Sequence, residues 1–320
     1  MNLVDLLAGI RARQPRALGR GISIIEDGAD DVRELMRELA ATAGTARVIG
    51  LTGAPGVGKS TTTSALISHY RSLGKAVAVL ACDPSSPFSG GAILGDRVRM
   101  QEHFLDPGVY IRSMASRGHL GGLSATTPQA ARLLDAAGFD VILIETVGVG
   151  QSEVEVAAAA DTTVVLLAPG MGDGIQAVKA GILEVGDIFV VNKADREGAH
   201  DTVRELRHAL SLAADVRARP ADPDEWTAPI LLTVASTGDG IAELAAALDQ
   251  HGTWLRETQP GRARAAVRAQ AELEAVVLGL LRAQVGAMRT DSRFIALAAE
   301  VAAGSTDAYS AGQALLSERD

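Results

Sequence analysis

The chain has 320 residues, enough for one large α/β domain with smaller appendages. Hydrophobic residues make up 47% and aromatic residues 3%, so the core must be built from Val, Ile, Leu and Ala, as in a sheet covered by helices on both faces. A net charge of −9 argues against a nucleic-acid partner, one cysteine rules out an internal disulfide and a paired-cysteine metal site, and no apolar stretch is long and clean enough for a membrane span.

Residues 1–45 read as a helical prelude. Val4, Leu6, Leu7 and Ile10 suggest one apolar face, and Val32, Leu35, Met36 and Leu39 another, at spacings of three and four. Arg11, Arg13, Arg16 and Arg20 form a small basic cluster, read as a solvated helix face with a transit peptide as the alternative. The lone thiol suits a reducing cytoplasm, the expected location.

From Ala46 to about His251 strand and helix patterns alternate. The strand candidates are 47–52, 76–81, 109–112, 141–145, 162–168, 188–192 and 230–234. They are short, β-branched and mostly continuous in apolarity, which marks parallel strands buried on both faces. The predicted fold is α/β, a doubly wound and mostly parallel sheet with ligands at the C-terminal strand ends. Cys82 ends one apolar run and reads as a buried structural thiol. Stretches 81–95 and 113–127 lack periodicity and are long enough to be functional loops, and 217–229, with three prolines, reads as a surface connection. Residues 261–286 predict a long helix, with two shorter ones after it. The expected domains are a helical extension over 1–45, a nucleotide domain over 46–254 and a helical arm over 255–320.

The chemistry lies in four motifs at strand ends. Gly53-Ala54-Pro55-Gly56-Val57-Gly58-Lys59-Ser60, followed by Thr61, lies between the first strand and a helix. It fits a phosphate-binding loop: a nest of backbone N–H groups with a positive helix end behind it. Lys59 would reach the β- and γ-phosphates, and the Ser60 hydroxyl would hold Mg²⁺. Glu145-Thr146-Val147-Gly148 follows a strand; its carboxylate can reach Mg²⁺, directly or through water, and Gly148 lets a backbone N–H approach the γ-phosphate. Lys59, Glu145 and Gly148 are therefore the candidate catalytic residues. Asn192-Lys193-Ala194-Asp195 matches the guanine-specificity pattern. The Asp195 carboxylate can accept from guanine N1–H and the 2-amino group, a donor pair that adenine lacks, while Asn192 fixes the loop and the Lys193 stem covers the base. Val234-Ala235-Ser236 ends the next strand, where a backbone N–H could meet guanine O6.

Further segments narrow the reading. Asp83-Pro84-Ser85-Ser86-Pro87, the run Ser89 to Met100, Glu145 to Glu153, and the stretch from Pro169-Gly170 through Gly172-Asp173, Gln176, Lys179 and Gly181-Ile182 to Asp195 resemble the methylmalonyl-CoA mutase-associated GTPases, the MeaB/ArgK family. The resemblance covers nearly the whole chain. It implies a P-loop GTPase core of the metallochaperone-like branch, binding GTP, GDP and Mg²⁺ and hydrolysing GTP slowly. It also implies a homodimer that associates with an adenosylcobalamin-dependent acyl-CoA mutase, methylmalonyl-CoA mutase first, gating cofactor loading and protecting or reactivating it. Carried over by position, Ser60, Asp83, Asp96 and Glu145 are the Mg²⁺ candidates, and 172–184 is the segment that would communicate with the mutase. Lys179 is open between phosphate, partner and plain solvation. Met171, Gly174, Val234 and Ser236 depart from the family's commoner residues.

No residue is an obvious water-orienting glutamine; Gln151 lies three positions beyond Gly148. Three rivals stand beside this reading. A nickel-insertion GTPase of the same branch would need paired Cys and His, whereas the six histidines here are scattered. An ATP-using P-loop kinase would need an acceptor pocket and is opposed by Asp195, and a scaffold would bind nucleotide without turning it over.

Overall fold

The β-branched runs pair side by side into one sheet of seven strands, all parallel: β1 (Arg47–Thr52), β2 (Val77–Asp83), β3 (Val109–Ala115), β4 (Val141–Thr146), β5 (Thr162–Leu167), β6 (Ile188–Asn192) and β7 (Ile230–Thr233), in the spatial order β3-β2-β4-β1-β5-β6-β7. The computed structural model describes residues 2–28, 31–40, 45–83, 100, 102–115, 126–146, 152–170, 180–216 and 224–317. Every expected strand is present. β2 and β3 run further than their apolar runs, because they pair residue for residue from Val77↔Val109 to Asp83↔Ala115. Backbone pairing there outlasts the apolar side chains that mark a strand in sequence.

The order of the strands reverses around β1, which lies between β4 and β5. Alternate residues face opposite layers. Ala78, Leu80, Ile142 and Ile144 face α1 (Leu3–Arg11), α2 (Pro15–Asp27), α3 (Val32–Ala40), α5 (Thr127–Ala136) and α6 (Ser152–Ala159). Val79, Leu143, Leu51 and Val164 face α4 (Lys59–Ser72) and α9 (Ile241–Glu257). On β6, next to the edge strand, Phe189 packs with Leu206 of α8 (Ala199–Val216), which follows the short α7 (Ala180–Val185). Gly50 is small for a reason: a Cβ there would come within 2.9 Å of Val156 on α6.

In the helical prelude Leu6, Leu7 and Ile10 are buried as the periodicity predicts, but Val4, in the first turn of α1, is 75% exposed and belongs to no core. The Asn2 side chain caps that turn by accepting from Asp5 N at 2.8 Å. Cys82 is buried, its Sγ 3.9 Å from Thr127 Oγ1.

The first turns of α10 (Gln259–Met288) are pinned to the N-terminal ends of β5 and β6. Arg264 pairs at 2.5 Å with Asp187, which is 2% exposed, and Arg268 pairs with Asp161. Asp187 also accepts from Thr163 N at 2.8 Å through its carboxylate, and from Trp226 Nε1 at 2.8 Å through its carbonyl. Beside it lies His251, fully buried, its Nδ1 2.7 Å from Thr162 Oγ1 and its ring stacked on Trp254 and edge-on to Trp226. Its Nε2 has no hydrogen-bond partner among the described residues and stands 3.6 Å from Asp187 Oδ1.

The chain divides into two compact units, Met1–Ala269 and Gln270–Asp320. The second contains the rest of α10 with α11 (Ser292–Ala302) and α12 (Ala308–Leu316), each capped by an aspartate, Asp291 and Asp307, that accepts from backbone N–H groups. Leu273, Val277, Leu280 and Leu281 on α10 are exposed within this description. Among the described residues no helix is long and apolar enough to cross a membrane.

Candidate nucleotide site

At the C-terminal end of β1 the chain turns through Gly53–Gly58 into α4. Two glycines of this turn are obligatory. Gly53 has φ +140°, and a Cβ there would lie 2.3 Å from Leu166 O; Gly58 has φ +100°, and a Cβ there would lie 2.3 Å from Asn192 Nδ2. A side chain at either position would have to adopt a left-handed backbone and would collide with β5 or with Asn192 beneath the loop. Lys59 opens the helix and folds back, its Nζ donating to Gly53 O at 2.8 Å and to Ala54 O at 3.1 Å. The ammonium is thus stored on the rim of the turn.

Glu145, at the end of β4, sits in register with Leu51 of β1 and Ala81 of β2 and is 2% exposed. Its Oε1 accepts from Ser60 Oγ at 2.5 Å and its Oε2 lies 3.0 Å from Thr63 Oγ1. Thr63 was not among the sequence candidates. It is also 3.0 Å from Lys59 O, one helical turn back, so it steers the carboxylate toward Ser60 from the helix side. Its position three residues after Ser60, on the same helix face, was the available signal.

The base side is built around Asn192, which is 2% exposed at the end of β6. Its Nδ2 donates to Val57 O at 2.9 Å, and its Oδ1 accepts from Thr233 Oγ1 and from Ala235 N, both at 3.1 Å. One amide therefore joins the phosphate loop to the loop after β7. Lys193 takes a left-handed backbone, φ +58°, and its Nζ donates to Gly56 O at 2.6 Å, so its stem lies along the same loop. Val234 N and Asp239 O close the small turn that holds Ala235.

The structure brings together Gly53 to Ser60, Glu145, Asn192, Lys193 and Ala235. Thr61, Asp195 and Ser236 are exposed beside them, and Val234 is half-buried. Asp83 ends β2, two strands from the phosphate loop; only its backbone is described. Asp96, Gly148, Gln151, Lys179 and most of 172–184 lie outside the described residues.

An all-parallel sheet with a glycine loop between β1 and its helix, a buried acid on the neighbouring strand and an Asn-Lys-x-Asp turn two strands away is the fold of a P-loop GTPase. The whole chain matches others of this kind. A Pyrococcus abyssi protein named a GTPase is 42% identical over 98% of this chain and 96% of its own length. The GTPase ArgK of Escherichia coli K12 is 37% identical over 85% and 82%. A crystal structure described as a LAO/AO transport system kinase superposes with a TM-score of 0.66 at 24% identity, over 99% of this chain and 98% of that one, and so shares the fold. The chain belongs to the family described as methylmalonyl-CoA mutase-associated GTPase MeaB, whose model matches residues 18–289.

Proposed function

We propose that this protein binds and hydrolyses GTP as a timing switch for an adenosylcobalamin-dependent acyl-CoA mutase, methylmalonyl-CoA mutase being the first candidate. In that role it gates loading of the cofactor and protects or reactivates the mutase. The observation that carries the nucleotide half is the Asn192 amide, which holds the phosphate loop and the Thr233–Ala235 turn at once. The mutase half draws its support from the family's description.

In this reading Gly53 to Thr61 wrap the phosphates, Asp195 and the Val234–Ser236 turn read guanine, and Lys193 covers the base. The Lys59 ammonium leaves Gly53 O and Ala54 O for the β- and γ-phosphates, where a cation neutralises developing charge. The residues present fit Mg²⁺. Ser60 and Glu145 set a hydroxyl and a carboxylate against each other at 2.5 Å, hard oxygen donors at the mouth of a glycine cradle. Ser60 and Glu145, with Asp83 and Asp96, are the proposed shell, and Mg²⁺ there would neutralise phosphate charge. Gly148 is assigned to the γ-phosphate. Residues 255–320 are proposed as the dimerisation arm; the exposed Leu273, Val277, Leu280 and Leu281 support an apolar contact with a second copy. A cytoplasmic location completes the reading.

The test is phosphate release from purified protein with GTP or ATP, alone and with the mutase. Slow GTP turnover that the mutase accelerates, with ATP failing to compete, is expected. A fast rate indifferent to mutase, or equal use of ATP, overturns it.

A further inference from the structure

The opposite end of the sheet carries a groove that nucleotide chemistry leaves unused. It lies where Ala76, Val109 and Asp140 lead into or begin β2, β3 and β4, about 20 Å from the phosphate loop at the rise of a parallel strand. Its volume is about 700 Å³. Tyr110 and Phe139 line it, and Phe104 and Leu105 stand at its edge, 47% and 95% exposed. Two adjacent large apolar side chains thus stand in solvent beside a concavity, where a partner's apolar side chains could cover them.

The carboxylates inside are already engaged. Arg71 holds Asp106 through two bonds of 2.8 Å, and Asp140 Oδ2 accepts from Ala76 N at 2.7 Å. Arg13 is different. It follows the C-cap of α1, and the bonds Arg13 N to Ile10 O and Gln14 N to Gly9 O, both 2.9 Å, form the paired closure that ordinarily takes glycine. Arg13 adopts it with φ +54°, a left-handed backbone that costs a side-chain-bearing residue roughly 1 kcal/mol. Its guanidinium lies 5.8 Å from the Phe139 ring centroid, over the groove wall, with no carboxylate partner among the described residues. Arg11, Arg16 and Arg20 are likewise exposed and, among the described residues, without an ion pair. Residues 1–25 thus carry four arginines against one aspartate, in a chain of net charge −9.

We propose that this groove docks an acidic segment of a partner protein, with apolar side chains seated on Phe104, Leu105 and Phe139 and carboxylates on Arg13 and the neighbouring arginines. Arginine beside aromatic and aliphatic anchors is the composition of an interface centre, and the unmatched positive charge selects an acidic occupant. The occupancy of this groove does not depend on the mutase assignment.

The probe is a peptide with fluorescein on its N-terminal amine, fluorescein-Glu-Glu-Leu-Phe-Glu-Glu-amide, titrated with the full-length protein by anisotropy at low salt. Saturable binding is expected. Leu105→Ser, at a side chain the core does not use, should weaken it at least about tenfold. Arg13→Gly should do the same while leaving the melting temperature unchanged or higher, since it relieves the left-handed backbone; GDP binding should be unaltered in both. A peptide with serines in place of Leu and Phe, or with lysines in place of the glutamates, should bind at least about tenfold more weakly. No saturation by 1 mM wild-type protein, roughly the weakest docking worth the name, overturns the proposal. So does undiminished binding by the two variants, or equal binding of the serine peptide.

Discussion

His251 should make the stability of the nucleotide domain fall steeply in mild acid. Burial above all, and then the positive charges of Arg264 and Arg268, pull its imidazole down from 6.5 to about 3. Asp187, 3.6 Å away, does not rescue the imidazolium, because Arg264 already engages that carboxylate and presents a like charge. A depressed folded-state value means that the unfolded chain takes up the proton first. The stabilising contribution is therefore complete above pH 6.5 and is lost as pH falls toward 3. Between pH 7.5 and 4.5 the unfolded imidazole becomes almost fully protonated while the folded one stays neutral, a loss of about 2.5 kcal/mol. Burial raises Asp187, which works in the opposite sense; it is present in both proteins compared, so only what the substitution changes at this 3.6 Å neighbour enters the difference. The comparison is wild type against His251→Gln in urea unfolding at pH 7.5, 6.5, 5.5 and 4.5. The two tryptophans, Trp226 and Trp254, both flank His251 and report on this region by fluorescence. The variant starts less stable, having lost the ring packing, but its pH slope should be shallower by about 2.5 kcal/mol over the range. Slopes that agree within about 1 kcal/mol would refute the reasoning.

Three further outcomes concern the nucleotide site. Glu145→Gln keeps the side-chain volume but sets an amide donor against the Ser60 or Thr63 hydroxyl; Mg²⁺-dependent GTP turnover should fall about 100-fold with the fold retained, as checked by phosphate release and circular dichroism. Gly58→Ala drives a Cβ to 2.3 Å from Asn192 Nδ2 at φ +100°; a stability loss of roughly 2 kcal/mol and at least tenfold weaker binding of fluorescent GDP should follow. Asp195→Asn should reverse base preference, since an amide donor meets the 2-carbonyl of xanthine where a carboxylate meets the 2-amino group of guanine. Competition between GTP and XTP should shift by about 100-fold, and unchanged preference would remove Asp195 from the base site.

The seven strands were legible because a strand buried on both faces must be apolar throughout, and Val, Ile and Leu runs such as Val141–Ile144 have no other reading at that length. The ends were less legible where hydrogen bonding outlasts hydrophobicity, as at Cys82 and Asp83. Asn192 and Lys59 were readable because the motifs that hold them are contiguous. Thr63 was half-readable, from helical spacing alone. The cluster of Asp187, His251, Arg264 and Arg268 had no local signal. Thr162 and His251 stand 89 positions apart, and six scattered histidines do not reveal which one the sheet encloses. The exposure of Val4 likewise depends on how far the neighbouring elements cover α1, which periodicity does not encode.

The bond between Asn192 and Val57 spans 135 residues of chain. Because the same amide grips Thr233 and Ala235, the proposed site would not hold the two ends of a nucleotide with independent hands. Opening the loop beyond β7 would slacken the phosphate grip without anything touching it. A regulator of release would thereby gain a handle remote from the phosphates, and residence time would become a property of the β6–β7 edge.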